Sequence, residues 1–250
     1  MELELKKECL DTYELGEPQT LTQEETAETI VPDYCPDIAR IISAEGVVCL
    51  HGGTEQDGVT GTVRVTVLYT PENESGVRAL EFAMPFSAPG AGLAGCAHVV
   101  VETEIELLES RMLNPRKIFT RCKLVTHLAG CRKVCLTISS DAETDPALLV
   151  EKRCCGQTVS LLRQVVEKDL TLSETMSLSL GREGAAELLH CRANGIVTET
   201  KAIGNKLIFK GVFLVSVLYR TTGGQLASAS AELPFSQIME TDSTEENTQV

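Results

Sequence analysis

Hydrophobic and polar residues alternate in two stretches of the chain that share almost the same sequence. Residues 61–69 read GTVRVTVLY and residues 211–219 read GVFLVSVLY. A two-residue alternation of this kind predicts a β-strand that presents an apolar face to a core. A second shared phrase comes after each strand, MPFS at residues 84–87 and LPFS at residues 233–236. Two markers in the same order, at nearly the same offset, indicate two copies of one strand-rich domain.

The repeat assigns structural roles to residues at matching places in both copies. The glycine opens the first shared strand and the tyrosine ends it. The phenylalanine of each Pro-Phe-Ser phrase is expected to anchor the core of its copy, not to serve as a ligand platform. These residues are Gly61, Tyr69, Pro85 and Phe86 in the first copy and Gly211, Tyr219, Pro234 and Phe235 in the second.

A short helix is predicted before the sheet of each copy. Asp33 suits the N-cap position, Pro36 suits the first helical turn, and Asp37 favours the positive end of the helix dipole. The signature residues of this segment are Pro32, Asp33, Pro36 and Asp37. Apolar residues at the spacing i, i+3, i+4 would then share one helix face. They are Ile38, Ile41 and Ile42 in the first copy and Ala185, Leu188 and Leu189 in the second.

The predicted fold class is mainly β, or α+β with a minor helix, in two tandem repeated β-rich domains. The first domain takes residues 1–145 and the second residues 146–240, and residues 241–250 are expected to be a disordered tail. The remaining polar segments are interpreted as a link at 16–29 and a linker at 141–145. Further strands are expected at residues 3–15, 47–50, 79–86, 99–107, 118–128, 133–138, 148–153 and 157–180.

The two copies differ in how apolar the second face of the shared strand is. In the first copy that face is polar and includes Arg64, so it is expected to be exposed. In the second copy both faces are apolar, which is typical of a strand covered on both sides. The first domain, a missing segment or a partner protein would provide the cover. The candidate partner-binding residues are Val212, Leu214 and Leu218.

The copies also differ in the length of strand-forming sequence after the Pro-Phe-Ser phrase. Several predicted strands come after the first phrase, whereas almost none come after the second. Either the chain is a fragment, or the second domain is truncated and leaves a sheet edge to be paired. Strand addition along that edge would allow self-association or partner binding.

Composition restricts the partners and the compartment. The net charge of −14 argues against nucleic acid, because phosphate binding needs clustered lysine and arginine. No secretory signal is visible at the N-terminus, and the apolar runs are too short for membrane insertion. The ten cysteines are therefore expected to be reduced thiols of a cytoplasmic protein, with no disulfide needed.

Candidate chemistry is sparse, and no catalytic, cofactor-binding or metal-ligating residue is assigned. Cys131 and Cys135 are separated by three residues and His190 precedes Cys191, but ordinary buried thiols explain both better than a metal does. The motifs of hydrolases, zinc proteases and nucleotide-binding loops are absent. His127 is interpreted as a structural histidine. The stripe Glu102, Glu104 and Glu106 is a solvated face, with a basic partner as the alternative.

The combined phrases resemble a known family. VPDYCPDI at residues 31–38, the repeated strand, the Pro-Phe-Ser phrase and NPRK at residues 114–117 are together similar to the SPOCS domain of clostridial spore-coat proteins. The resemblance spans about residues 3–239. Such proteins carry tandem SPOCS repeats, sometimes followed by LysM, and one member with that ending binds the ATPase of the coat's basement layer.

This chain departs from the family pattern twice. No LysM-like segment follows the second repeat, and the second copy has GAAE at residues 184–187 in place of the Pro-Asp-x-x-Pro-Asp phrase. The resemblance implies a non-enzymatic scaffold of spore coat or endospore envelope assembly, on the mother-cell side of the forespore surface, with other coat-assembly proteins as partners. The alternative is a generic cell-envelope or glycan-binding β module, and a metal-dependent hydrolase is less favoured.

Overall fold

The computed structural model of the chain describes residues 4–51, 58–90, 93, 95–143, 151, 153, 156, 158–168, 170–173, 175 and 183–242. Ten β-strands and no helix occur among these residues, so the mainly-β prediction is confirmed. The strands are β1 (Glu4–Leu15), β2 (Gln19–Ile30), β3 (Ile38–His51), β4 (Val59–Pro71), β5 (Arg78–Ala88), β6 (His98–Asn114), β7 (Lys117–Glu143), β8 (Ala185–Ile203), β9 (Lys206–Thr221) and β10 (Leu226–Glu240).

Sheet A is built around β7, which is 27 residues long and pairs antiparallel with three other strands. β2 pairs with residues 117–128 of β7 and β1 with residues 131–143, so these two strands lie end to end on one side. β6 pairs with β7 on the opposite side, from His98 to Asn114. The sequence pattern predicts separate strands at 118–128 and 133–138, with a break at Ala129 and Gly130. Both residues instead pair with β6, and β7 continues through them.

Sheet B (order β3-β4-β5) and sheet C (order β10-β9-β8) are three-stranded antiparallel sheets with the same register. In sheet B, Gly61 pairs with Phe86, and in sheet C, Gly211 pairs with Phe235. The expected equivalence of the two strand pairs is therefore confirmed. The Pro-Phe-Ser phrase lies on an outer strand in both sheets, where the missing N–H of proline removes no ladder hydrogen bond.

The helix predicted for the first copy is wrong, because its residues form the first part of β3. Ala39 and Ile42 are left unpaired opposite β4, so each creates a β-bulge. Each bulge lengthens the two-residue repeat to three residues. Ile38, Ile41 and Ala44 therefore lie on one face and pack in the core. This i, i+3 spacing imitates a helical pattern.

The helix predicted for the second copy is wrong for the same reason. Opposite β9, the register of β8 shifts after Ala185 and again after Leu188, at the places that match the two bulges of β3. Asn194 and Gly195, a dipeptide that often ends a helix, lie inside β8, where they pair with β9. The internal repeat thus includes the bulges and a complete three-stranded sheet.

The main core lies between sheets A and B. Val65 is 1% exposed and packs with Ile118 and Leu124 of β7, which are fully buried. Arg64, the next residue along β4, is exposed on the opposite face. The predicted core face and exposed face of the first copy are therefore confirmed.

Several boundaries drawn from sequence are corrected. The expected link at residues 16–29 is mostly β2, whose glutamate and threonine residues alternate between exposed and half-buried positions. The linker at 141–145 begins inside β7, and its last two residues lie outside the described ones. Between residues 151 and 175, the described residues form a single strand bridge, Tyr13 to Leu162. The division into domains 1–145 and 146–240 stays a prediction. Most of the tail, residues 243–250, lies outside the described residues.

Candidate functional site

The candidate partner-binding residues lie together on one face of β9. Leu214 is 38% exposed, and Val212 and Leu218 are half-buried. The residue at the matching register position of sheet B is Arg64, which pairs with Ala83 as Leu214 pairs with Glu232. An exposed leucine therefore takes the place of an exposed arginine.

Neighbouring strands extend this apolar surface. Ile196 of β8 pairs with Val212 and is 47% exposed, and Ile238 of β10 pairs with Ile208 and is 49% exposed. We call this surface the outer strip of sheet C. Its residues are Ile196, Ile208, Val212, Leu214 and Ile238. Lys210 of β9 lies on the same face between Ile208 and Val212 and pairs with Glu199 at 3.2 Å, so the strip has two apolar parts, Ile208 with Ile238 and Ile196 with Val212 and Leu214. Adjacent exposed apolar residues on neighbouring strands leave more hydrocarbon in water than single exposed residues do, which is typical of interaction sites.

The Leu218 end of the same face is closed by sheet B. Glu187 of β8 accepts hydrogen bonds from Arg78 of β5 at 3.0 Å and from Arg220 of β9 at 2.7 Å. These groups are partly buried, so the ion pairs help to hold the two sheets together. Part of the cover expected for the second copy is thus the first copy itself.

A histidine lies at the same contact. The ring of His190 is largely buried, with its Nε2 atom 3.2 Å from Oε2 of Glu45. The two atoms are not aligned for a hydrogen bond, and Nε2 has no other hydrogen-bond partner among the described residues. The imidazole and the Glu45 carboxylate thus face each other across the contact between the two sheets.

An open groove of about 1350 Å³ runs along this contact, between the outer face of sheet B and β8. Arg64, Glu81, Glu104 and Arg192 are among its charged lining residues, so neither sign of charge dominates. Tyr34 also lines the groove and is 87% exposed. Its ring therefore offers a large aromatic surface to a ligand in the groove.

The segment at residues 31–37 is a loop held by Arg116, and Ile38 begins β3. The guanidinium donates hydrogen bonds to the carbonyl oxygens of Val31 at 2.8 Å and Cys35 at 2.7 Å. It also pairs with Asp33 at 3.1 Å and Asp37 at 3.0 Å. The two aspartates therefore bind an arginine and do not cap a helix. The geometry explains why the phrases VPDYCPDI and NPRK occur in one chain.

Other contacts fix the same loop. The Cys35 N–H donates to the Pro32 carbonyl at 2.9 Å and closes a tight turn that has Tyr34 at its third position. The Tyr69 hydroxyl donates to the Pro36 carbonyl at 3.3 Å. Burial raises the pKa of Tyr69 to about 12, with Cys35 contributing next. The loop thus holds Tyr34 in place while its ring stays in solvent.

The cysteines differ from expectation at one place. Cys9 of β1 and Cys135 of β7 form a disulfide between neighbouring strands, with Cα atoms 5.6 Å apart. The expectation of ten reduced thiols is therefore wrong for this pair. The thiols of Cys122 and Cys131 are fully buried. Burial raises the pKa of Cys122 to about 11, and it raises that of Cys131 as well.

The other candidate groups lie on the outer face of sheet A, where cross-strand contacts occupy several of them. His127 Nδ1 lies 3.1 Å from the Thr20 hydroxyl, which supports the structural interpretation. Glu106 pairs with Lys123 at 2.8 Å. Among the described residues, no three His, Cys, Asp or Glu side chains are grouped to hold a metal ion.

The residues that the structure describes contain no helix with the length and hydropathy needed to span a membrane.

The comparison with protein families identifies the part of the chain that carries the outer strip. Residues 185–250 match the family model described as SipL, SPOCS domain. The segment that contains β8, β9 and β10 is therefore similar to the SPOCS domain, as the sequence resemblance predicted for this part of the chain. For residues 3–184 the resemblance stays a prediction. No match was found among curated proteins or solved structures.

Proposed function

We propose that this chain is a non-enzymatic scaffold of spore coat or endospore envelope assembly, which acts through protein–protein contacts of its SPOCS domain. The observation that carries the proposal is the outer strip, which includes the exposed Leu214, within the segment that matches the SPOCS domain. The family match supports a sporulation-related role, and the exposed apolar strip supports a contact surface.

The chemistry of the strip indicates what kind of partner it takes. Leu214 is flanked by Glu232 on β10 and by Asn194 on β8, so polar groups border the apolar residues at this end of the strip. Protein interfaces have this arrangement of an apolar core and a hydrated rim. The net charge of −14 favours a partner with basic groups at that rim. Other coat-assembly proteins on the mother-cell side of the forespore are the partners we propose.

A complementation experiment in a sporulating host that carries this gene tests the proposal. Deletion should leave vegetative growth unchanged and misplace coat material around the forespore. A Leu214→Lys variant should fail to restore the coat, because a charge in the strip opposes apolar contact. The matched control is Ile30→Lys, at a residue of β2 that is 71% exposed, and it should restore the coat. Full rescue by Leu214→Lys at normal protein levels would refute the proposed surface.

A cell-envelope or glycan-binding module is the alternative, and exposed Tyr34 beside the groove is the observation that favours it. Sugar rings stack on exposed aromatic side chains, so a Tyr34→Ala variant would lose such binding. Co-sedimentation of the purified protein with peptidoglycan distinguishes the two functions. We expect no retention for the wild type, and retention that Tyr34→Ala abolishes would establish the alternative.

A further inference from the structure

A row of residues on β8 is exposed although the strand beside it is buried on the same face of sheet C. Leu188 pairs with Tyr219 and Cys191 with Val217, and residues paired across two strands share a face. Tyr219 is 3% exposed and Val217 is 8% exposed, whereas Leu188 is 61% exposed. We call the exposed row the β8 column. Its residues are Leu188, Cys191, Ala193 and Gly195.

The matching row of the first copy is covered by β6. Its residues on β3, identified by their pairing with β4, are Ile41, Ala44, Gly46 and Val48. All but Gly46 pack against the main core together with Ile105 and Leu108 of β6. A Cβ added to Gly46 would lie 2.8 Å from Ile105 Cδ1 and 3.1 Å from Leu108 Cδ2. In the first copy, β6 therefore covers the face that is exposed on β8 in the second.

The contact between β3 and β6 indicates which chemistry the β8 column accepts. Glu106 is left unpaired opposite β7 and forms a bulge, and the residues on either side of it, Ile105 and Leu108, both reach the core. Two large aliphatic side chains three residues apart thus fill the space over small residues of β3. The β8 column offers the same kind of surface, because Cys191, Ala193 and Gly195 are small and uncharged. Large side chains over small ones give close packing.

The β8 column borders open space. Leu188, Cys191 and Ala193 line the open groove of about 1350 Å³ that runs beside β8. The described residues between 158 and 184 approach sheet C at other places. Hydrogen bonds join them to Thr222, Ile238 and Asp242. These contacts lie at β10 and at the turn before it, whereas the exposed fraction of Leu188 shows that the column stays accessible.

We propose that the β8 column is a docking surface for an antiparallel strand pair of a partner protein, one strand of which lies against β8 as β6 lies against β3. That strand presents isoleucine or leucine side chains to the column. A second copy of this chain does not suit the site, because its β6 is already paired with β7 and packed in its own core. Two β8 columns in contact would place small residues against small ones and leave voids. The charge of −14 on each chain adds repulsion between copies.

This inference does not rest on the proposed function, because the column lies on the face of sheet C opposite to the outer strip. Its test is a binding measurement with purified components, whereas the proposed function is tested by complementation in a sporulating host. A chain that binds such a strand pair without any role in coat assembly would satisfy the inference. A coat scaffold that does not bind one would refute it and leave the proposed function intact.

The chain itself provides a probe for this surface. A synthetic, fluorescently labelled peptide of residues 98–131 contains β6 and the part of β7 that pairs with it. We expect the purified 250-residue chain to bind this probe saturably, as measured by fluorescence anisotropy. A Leu188→Lys variant should weaken binding about tenfold or more, because a charge would enter the apolar contact. The matched control is Ile203→Lys, at a residue of the opposite face of β8 that is 59% exposed, and it should bind as the wild type does.

Cys191 provides a second readout, because its thiol is exposed within the column. The probe should slow alkylation of Cys191 by iodoacetamide, and a probe with Ile105→Asp and Leu108→Asp should not.

Four results would overturn the proposal. The first two are a wild type that does not bind the probe and binding that Leu188→Lys leaves unchanged. The third is a concentration-dependent dimer that protects Cys191 and that Leu188→Lys abolishes, because a second copy would then be the occupant. The fourth is a cross-link formed in cells between Cys191 and another segment of the same polypeptide, which would show that the chain covers the column itself.

Discussion

The ring of Phe235 lies directly against Gly211 on the paired strand, so that a Cβ added to Gly211 would stand 2.6 Å from Phe235 Cζ. Phe86 covers Gly61 in the same way, with Cζ at 2.5 Å. An aromatic ring that covers a cross-strand glycine compensates for the side chain that the glycine lacks. The pairing explains why the strand that begins with glycine and the Pro-Phe-Ser phrase recur together.

Replacing Gly211 with alanine should destabilise sheet C. The added Cβ would meet Phe235 and would also lie 2.2 Å from the Ile196 carbonyl oxygen, which is backbone and cannot easily move. Such overpacking costs about 1–3 kcal/mol. Urea denaturation of Gly211→Ala measures the loss. Gly184→Ala is the control, since nothing lies within 4 Å of its added Cβ. Equal stabilities of the two variants would contradict the close approach.

The strands that could be predicted from sequence are those whose alternation is regular and whose core residues are aliphatic. The faces of β4 are of this kind, with Val65 buried and Arg64 exposed. The face on which Leu214 lies was also predictable, because the repeat aligns it with Arg64 of the first copy, but its apolar character indicated a covered face and not an exposed one. Comparison of two copies thus gave information that one copy alone would not.

Other features depend on contacts that no local pattern shows. The bulges at Ala39 and Ile42 change the spacing of apolar residues from two to three, and the result cannot be told from a short helix by periodicity. β2 was missed because its half-buried positions include Gln23 and Glu25, which sequence reasoning assigns to solvent. The role of Arg116 depends on a loop about 80 residues away. Its signal was the joint occurrence of the NPRK and VPDYCPDI phrases.

Replacing Arg116 with lysine should loosen the loop at residues 31–37. A lysine ammonium cannot reproduce the planar fork that reaches Val31 O, Cys35 O and both aspartates. Hydrogen bonds to a charged group contribute about 1.5–3 kcal/mol each, and a loss of about 2 kcal/mol is expected. Thermal melting measures the loss. Hydrogen exchange should show a faster amide at Cys35.

The control for this variant is Arg121→Lys. Arg121 pairs with Glu24 at 2.6 Å on the outer face of sheet A, where both side chains are well exposed. Exposed ion pairs contribute at most about 1 kcal/mol, so this variant should melt close to the wild type. If both variants melt alike, the loop does not depend on the arginine fork.

Stability should fall in alkaline solution because of Cys122. Its folded-state pKa is raised to about 11, mainly by burial, whereas an unfolded thiol ionises near about pH 8.5. The folded state therefore holds the proton more tightly. The stabilisation is complete below about pH 8.5 and is lost as the pH rises toward about 11. Urea denaturation at a series of pH values should show this slope.

Two cysteine variants isolate the contribution of Cys122 to this loss of stability at high pH. Cys122→Ala should have a flatter pH dependence between about pH 8.5 and 11, even though loss of the buried sulfur lowers its stability at every pH. Cys191→Ala, at an exposed cysteine, should keep the wild-type slope. An unchanged slope in Cys122→Ala would show that other groups cause the alkaline loss, among them Tyr69, whose pKa is raised to about 12.

Aspartate substitutions at Val65 and Val215 should reveal how differently the two sheets are covered. These residues occupy the same register position in sheets B and C, but Val65 is 1% exposed whereas Val215 is half-buried. A carboxylate at residue 65 would enter the closed core between sheets A and B without a partner, and we expect Val65→Asp to unfold the first copy. At residue 215 the same group reaches water, so Val215→Asp should cost clearly less than the first variant.

The control is Arg64→Asp, on the exposed face of the same strand β4. This variant should stay close to wild-type stability because the Arg64 side chain is exposed. We expect urea denaturation of the three variants to give the order Val65→Asp, Val215→Asp, Arg64→Asp, from most to least destabilised. If Val215→Asp were as damaging as Val65→Asp, the inner face of sheet C would be as fully covered in solution as that of sheet B. The contrast matters for function, because a half-covered sheet can accept further protein contacts at a site where a closed core cannot.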